Sequence, residues 1–142
     1  LKMYAEFDDT LVTGNTLIDS QHKELIDKIN ALLKSCEQGS GKQAAVQTLG
    51  YLADYTEYHF REEEALQKEV GYPGTEEHKK EHECLRQTVQ DLHDMLEEQE
   101  GPTEDFVNQV QKNVIDWLYI HIKSYDRSVA EYKNMTLNNE RL

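Results

Sequence analysis

The chain has 142 residues and a formal net charge of −13, with 37% hydrophobic and 30% charged residues. This length suits one domain with its own core, and the scarcity of glycine and proline favours helices over an all-β fold. So acidic a surface would repel a phosphate backbone, which argues against nucleic-acid binding. No apolar run approaches the roughly 18 residues that span a bilayer, and no secretory signal is visible, so we expect no membrane association.

The two cysteines, Cys36 and Cys84, form no closely spaced pair. We interpret them as reduced thiols of a cytoplasmic protein, because structural disulfides are rare in that compartment. The chain begins with Leu1 rather than methionine. This start is compatible with an excised domain or a processed chain, and with fusion to other domains in a full-length protein.

Glycine and proline positions divide the chain into an N-terminal arm, about residues 1–18, and four predicted helices. The helices are predicted to cover about residues 19–38, 42–70, 75–99 and 103–132. Asp19, Thr75 and Thr103 are the predicted N-caps of the first, third and fourth helices. Because the connections are short, successive helices should be antiparallel neighbours. The sequence therefore predicts an all-α fold, an up-down-up-down antiparallel four-helix bundle with an extended N-terminal arm, in a single domain.

Ionisable side chains interrupt the apolar stripe of every predicted helix. Stepping by three and four residues along the second helix passes from Leu52 through His59 and Glu63 to Leu66. The third helix begins its stripe with two histidines, and the first and fourth helices each carry one. The inward-facing residues predicted in this way are His22, His59, Glu63, His78, His82 and His121.

Another histidine and several acids are assigned to the surface. His93 is eleven residues beyond His82, about 16 Å further along the helix, and should not reach the other histidines. In the run of three glutamates at 62–64 only the middle one lies on the stripe, so Glu64 is predicted to be solvated. Glu81 is likewise predicted to be an ordinary surface acid.

The inward-facing residues are predicted to meet at one level of the bundle, because the starts of the first and third helices lie beside the ends of the second and fourth. A buried carboxylate without a partner is costly, and this many imidazoles and acids cannot satisfy one another by hydrogen bonds alone. Metal cations would turn them into ligands. The four-residue spacing of His59 with Glu63, and of His78 with His82, also suits chelation from one helical face. The sequence therefore predicts a buried metal site.

Asp126 does not fit this pattern on an ideal helix. It follows His121 by five residues and is therefore rotated from it by about 140° around the helix axis. It can join the site only if the helix loosens or ends nearby. The spacing alone leaves its participation open.

Four sequence runs carry the predicted site: I-D-S-Q-H ending at His22, H-F-x-x-E from His59, H-x-x-x-H from His78 and W-L-x-x-H-I-x-x-x-D from Trp117. Together they resemble the hemerythrin family, with all seven of its ligand positions filled. The resemblance covers nearly the whole chain and makes Asp126 an expected ligand. One departure is Phe7 in the arm, where bacterial members often carry a tryptophan.

The resemblance implies a cofactor of two iron ions with an oxo or hydroxo bridge. His78, His82 and His121 would bind one iron, while His22 and His59 would bind the other. The two carboxylates that would bridge the irons are those of Glu63 and Asp126. Iron is expected from the resemblance and the bridging carboxylates, since ligand affinity alone favours copper or zinc at imidazole-rich sites.

The resemblance also implies that the centre binds dioxygen reversibly. Two imidazoles leave an open coordination position on their iron, as a ligand-binding metal requires. Leu118 would line the oxygen pocket, and Phe60, Trp117 and Ile122 are candidates for packing around it. We expect a binding protein for oxygen storage, transport or delivery, rather than an enzyme.

Two other functions stay open from the sequence. The domain could serve as the oxygen or redox sensor of a larger signalling protein, or it could reduce peroxide or nitric oxide at the same irons. The enzymatic alternative ranks last, because no acid or base is clearly dedicated to turnover. Ferritin-like di-iron oxidases are a poor fit, since no histidine follows a glutamate by three residues.

Overall fold

The computed structural model describes residues 4–37 and 41–140 of the chain. All regular structure in these ranges is helical, which confirms the predicted all-α fold. A short 3₁₀ turn at Asp9–Leu11 is followed by α1 (Thr16–Glu37), α2 (Gly41–Val70), α3 (Thr75–Glu98) and a fourth helix that spans residues 104–140. No helix within the described ranges is long and apolar enough to cross a membrane.

The helices form a four-helix bundle. One half of its core is apolar, and the other half contains a layer of buried histidines and acids, called here the polar layer. α1 packs on α2, α2 on α3, α3 on the fourth helix, and the fourth helix returns to α1. Leu32, Leu92, Leu96 and Phe106 are fully buried in the half where α1 and α3 end and the fourth helix begins. The buried histidines lie in the other half. The purely apolar part of the core therefore lies at one end of the bundle and the buried ionisable side chains lie at the other.

α1 begins three residues before the predicted N-cap, so our assignment of Asp19 was wrong. The helix starts at Thr16, and Asn15 caps it by accepting the backbone N–H of Ile18 at 2.9 Å. The Asp19 carboxylate instead accepts the backbone N–H and the hydroxyl of Thr13, at 3.0 and 2.7 Å. Both Asn15 and Asp19 are good capping residues, and the tertiary contact to Thr13 decides between them.

Replacing the observed cap tests this assignment. Asn15→Ala is expected to lower the free energy of unfolding by about 1 kcal/mol, because the N–H of Ile18 loses its acceptor. Urea denaturation followed by circular dichroism measures the change. Asn15→Asp, which retains an acceptor oxygen, is the matched control and should stay close to the original chain. An unchanged midpoint for Asn15→Ala would show that Asn15 contributes nothing as a cap.

The ends of the other helices also differ in part from the prediction. Thr103 caps the fourth helix as expected, accepting the N–H of Phe106 at 3.1 Å. Thr75 was wrongly predicted as a cap: it is the first residue of α3, follows Gly74, and donates its hydroxyl to the carbonyl of Tyr72. The fourth helix runs beyond residue 132 because no glycine or proline follows Pro102. The predicted turn at residues 39–40 lies outside the described residues.

The fourth helix contains two π-helical turns. They occupy Gln111–Ile115 and Ile122–Asp126, and α-helical segments at Glu104–Val110, Asp116–His121 and Arg127–Glu140 surround them. A π turn closes its hydrogen bonds over five residues instead of four. The second turn therefore brings a residue five positions after His121 back to the face that His121 occupies. This is the local loosening that Asp126 needs to enter the buried layer.

The N-terminal arm connects α1 to the fourth helix, because its backbone forms hydrogen bonds with side chains of both helices. Asn30 of α1 accepts the N–H of Ala5 at 2.8 Å and donates to its carbonyl at 2.9 Å. On the other side, the Tyr119 hydroxyl accepts an arm N–H, and Arg127 donates to the carbonyl of Val12. The arm thus covers the junction between these two helices next to the polar layer.

Candidate metal centre

Seven ionisable side chains converge in one buried layer of the bundle. None of them is more than 2% exposed. His22 Nε2 lies 2.6 Å from Asp126 Oδ2, and His78 Nε2 lies 2.7 Å from Glu63 Oε1 and 2.9 Å from Asp126 Oδ1. The structure therefore brings together all the predicted ligand residues, namely His22, His59, Glu63, His78, His82, His121 and Asp126.

The remaining histidines also direct Nε2 towards the two carboxylates. His82 Nε2 is 3.1 Å from Glu63 Oε1, and His121 Nε2 is 3.1 Å from Asp126 Oδ1. His59 Nε2 lies further out, 3.7 Å from Glu63 and 3.9 Å from Asp126. Five imidazole nitrogens thus surround two acids. Such a set can offer neutral nitrogen and charged oxygen donors to cations from several directions.

The donor atoms fall into two groups that share both acids. In one group, donor atoms of Glu63, Asp126 and three histidines, His78, His82 and His121, lie within 4.8 Å of one another. The other group contains His22, His59 and the same two acids. Two shared carboxylates are the donor set that a pair of neighbouring cations requires, so these residues fit a two-metal centre. The groups are unequal, with three imidazoles against two.

Two of the imidazoles form hydrogen bonds through Nδ1, the ring nitrogen that faces away from the two carboxylates. His59 Nδ1 lies 2.6 Å from Oε1 of Gln21, and His82 Nδ1 lies 2.9 Å from Oε2 of Glu64. An oxygen at this position accepts an Nδ1–H, which leaves the Nε2 lone pair directed at the layer. Glu64 was wrongly predicted to be only a solvated surface acid, because its side chain reaches back to His82.

Gln67 orients the ring of His78 in the same way, although the sequence pattern did not predict it as a residue of the site. Its amide contacts His78 Nδ1 at 2.5 Å, and its Oε1 has no hydrogen-bond partner among the described residues. Turning the amide so that Oε1 faces the ring satisfies both groups and again places the proton on Nδ1. Gln67 is fully buried, whereas Leu66 is half-buried, so the helix stripe continues from Glu63 by four residues instead of three.

Burial and mutual charge shift the pKa values of the layer in the metal-free protein. Burial, with the nearby charge of Asp126, raises the pKa of Glu63 to about 7. Burial alone would lower the pKa of His78, but its hydrogen bonds to Asp126 and Glu63 prevail and raise it to about 9. Burial and the neighbouring imidazoles of His78 and His121 lower the pKa of His82 far below its ordinary value. In the metal-free protein at neutral pH, His78 is therefore protonated and Glu63 is partly protonated, whereas both must be unprotonated to bind a metal.

Metal binding at neutral pH is consequently expected to release about one to two protons per chain, since Glu63 and His78 must lose theirs to act as ligands. Calorimetric titration with a divalent metal in two buffers of different ionisation enthalpy measures this release. The apparent affinity should fall as the pH is lowered. A pH above both pKa values provides the control, where release from these two groups disappears. Heats that do not depend on the buffer at neutral pH would contradict the prediction.

Two of the predicted pocket residues stack on histidines of the three-histidine group, and the other two lie in the apolar core. Phe60 stacks on His82 with ring centroids 3.8 Å apart, and Trp117 stacks on His121 at 4.4 Å. Leu118 and Ile122 are buried in the hydrophobic core cluster of the bundle. Apart from the half-buried Trp117, these side chains are at most 3% exposed, and two of them, Phe60 and Trp117, cover the rings of His82 and His121.

Two other assignments can be compared with the structure. His93 lies outside both donor groups, and its ion-pair contacts among the described residues are with Asp94 and Glu97, as expected from its position along α3. Glu81 was predicted to be an ordinary surface acid, yet its Oε1 lies 3.7 Å from Nδ1 of His121. This distance is too long for a hydrogen bond, but it places a negative charge beside a buried nitrogen that has no hydrogen-bond partner among the described residues.

Comparisons with known proteins agree with this arrangement. Residues 13–132 match the family model described as Hemerythrin HHE cation binding domain. The chain is 35% identical over 123 residues to a bacteriohemerythrin of Pseudomonas paraeruginosa, covering 87% of this chain and 77% of the relative. It is 34% identical over 131 residues to a bacteriohemerythrin of Stenotrophomonas maltophilia, covering 92% and 82%.

A solved structure shows the same fold. The crystal structure of wild-type hemerythrin superposes with a TM-score of 0.77 at 27% identity, covering 91% of this chain and 97% of that one. The family match covers the end of the arm, α1 to α3, the fourth helix as far as residue 132 and every residue of the buried layer. The chain belongs to the hemerythrin family.

Proposed function

We propose that the chain forms a single hemerythrin-like domain that holds two iron ions and binds dioxygen reversibly. The observation that carries the proposal is the unequal sharing of two carboxylates between three and two imidazoles. His78, His82 and His121 would hold one iron, and His22 and His59 the other, with Glu63 and Asp126 between them. With two imidazoles instead of three, His22 and His59 would leave a coordination position on their iron for a ligand.

When bound, two ferrous ions can each supply one electron to dioxygen. The protein must then keep water away from the reduced oxygen, since water and protons would release it and leave ferric iron. Leu118, Phe60 and Ile122 are buried apolar side chains, and Trp117 covers the ring of His121. We propose that these four side chains form the oxygen pocket and exclude water from it.

The remaining contacts orient the ligands. Gln21, Glu64 and Gln67 hold the Nδ1 atoms of three imidazoles, so the rings cannot turn their Nε2 atoms away from the layer. A rigid ligand set favours binding and release without rearrangement of the protein.

Two thiols that form no disulfide are compatible with a reducing cytoplasm, where we place the protein.

A spectroscopic cycle tests the proposal. The protein is loaded with ferrous iron without oxygen, aerated, and then deoxygenated while its visible spectrum is followed. We expect new absorption on aeration that disappears when oxygen is removed, with about two irons per chain by metal analysis. Absorption that persists as ferric protein would remove the carrier function. Rapid consumption of added peroxide with a steady reductant would favour the enzymatic alternative instead.

A further inference from the structure

A cleft leads from the surface to the buried layer between α1, α2 and the end of the fourth helix. Its cavity measures about 240 Å³. Glu62, Leu66 and Glu69 of α2 line the cleft, together with Lys133 on the fourth helix, while Gln21 and Glu63 also border it. Glu63 belongs to both donor groups of the metal centre, so this cleft touches the centre itself.

The buried residues of this cleft carry unused polar atoms. Gln21 is 3% exposed and Glu63 is 2% exposed. Gln21 Nε2 and Glu63 Oε2 have no hydrogen-bond partner among the described residues, although both side chains line the cavity. A buried polar atom without a partner is costly, so these two atoms favour a polar occupant, such as a water molecule or a cation, in the space beside them. Gln21 also contacts His59 through Oε1, which connects the cleft to the two-histidine group.

The charge of the cleft favours a cation. Glu62 and Glu69 are exposed, and neither forms an ion pair with a described residue, while Lys133 is the one basic side chain in the lining. A neighbouring cavity of about 420 Å³ is different, because two lysines, Lys68 and Lys79, outweigh one acid, Glu64, in its lining, and it touches none of the seven proposed ligands. Negative charge that lines one cleft concentrates cations there, whereas the lysines of the other cavity repel them.

We infer that the cleft bounded by Glu62, Glu69 and Gln21 is the route by which divalent cations, ferrous iron in the proposed centre, enter the buried layer. The two exposed glutamates attract the cation, and Glu63 receives it as the first ligand. Gln21 Oε1 keeps the His59 ring turned towards the arriving ion. The inference rests on the proposed metal centre but not on any oxygen chemistry.

Uptake of Co²⁺ by the metal-free 142-residue chain tests the route, because bound Co²⁺ is detected by its visible absorption without oxygen. The double variant Glu62→Gln/Glu69→Gln is expected to take up Co²⁺ about three- to tenfold more slowly at low ionic strength. Added salt should reduce this difference by screening the exposed charges. The final amount of bound metal should be unchanged. Glu98→Gln/Glu100→Gln removes the same charge at the far end of the bundle and should behave like the original chain.

A second variant tests the route by reducing the volume of the cleft. Leu66→Trp narrows the cleft without a change of charge and is expected to slow uptake at every salt concentration. Ala53→Trp, which fills a cavity on the α2–α3 face, is its control. Uptake at the original rate in both cleft variants would overturn the inference while leaving the metal centre intact. If the original chain binds no Co²⁺ or Fe²⁺ at all, the proposed centre fails and the route with it.

Discussion

Removal of bound metal is expected to lower the free energy of unfolding by at least about 4 kcal/mol when the free metal exceeds its dissociation constant by about a thousandfold. The reason lies in the seven buried ionisable side chains, which have cations to satisfy them in the loaded protein and only one another in the stripped protein. Urea unfolding of loaded and chelated protein, followed by circular dichroism, measures the difference.

Glu63→Gln is the control for this experiment. The variant keeps the size and hydrogen-bonding capacity of the side chain but removes a carboxylate shared by both donor groups. It should bind metal weakly, and a chelator should therefore leave its unfolding midpoint unchanged. Coincident unfolding curves for loaded and chelated original chain would show that metal contributes nothing to the stability of the folded state.

The polar layer could be predicted from the sequence because it depends on regular features. Short connections make the helices antiparallel, and steps of three and four residues place His59, Glu63, His78 and His82 on inward faces. Heights along the helices follow from the constant rise per residue. These rules do not depend on contacts between distant parts of the chain, so the structure agrees with them.

Features that depend on specific side-chain contacts, and not on helical periodicity, could not be predicted in this way. The choice of Asn15 over Asp19 as the cap follows from the contact between Asp19 and Thr13. Gln67 looks like a surface residue until its contact with His78 is known, and Glu64 likewise becomes a partner of His82 only in the folded bundle. Local periodicity identifies a buried face, but it does not identify the side chains that orient the histidines through hydrogen bonds to Nδ1.

Loss of Asp126 is expected to weaken metal binding by at least about 100-fold, since even residues that only orient ligands contribute about 10- to 100-fold. Its two oxygens lie within 3.1 Å of Nε2 atoms from three helices, those of His22, His78 and His121. Metal analysis after dialysis and competition with a chelator measure the loss in Asp126→Ala. Asp116→Ala, which removes an exposed acid from the same helix, should retain the metal.

The π turn at Ile122–Asp126 determines which position of the fourth helix can supply the carboxylate, and moving the carboxylate by one residue tests this. In the double variant Tyr125→Asp/Asp126→Ala the carboxylate moves to the position four residues after His121, which an ideal α-helix would favour. The structure gives that position to Tyr125, whose ring stacks on His121 with centroids 5.2 Å apart, outside the carboxylate position. We therefore expect the double variant to remain as deficient in metal as Asp126→Ala. Recovery of both metals would show that the helix can revert to regular α-helical geometry and that the π turn is not required for the site.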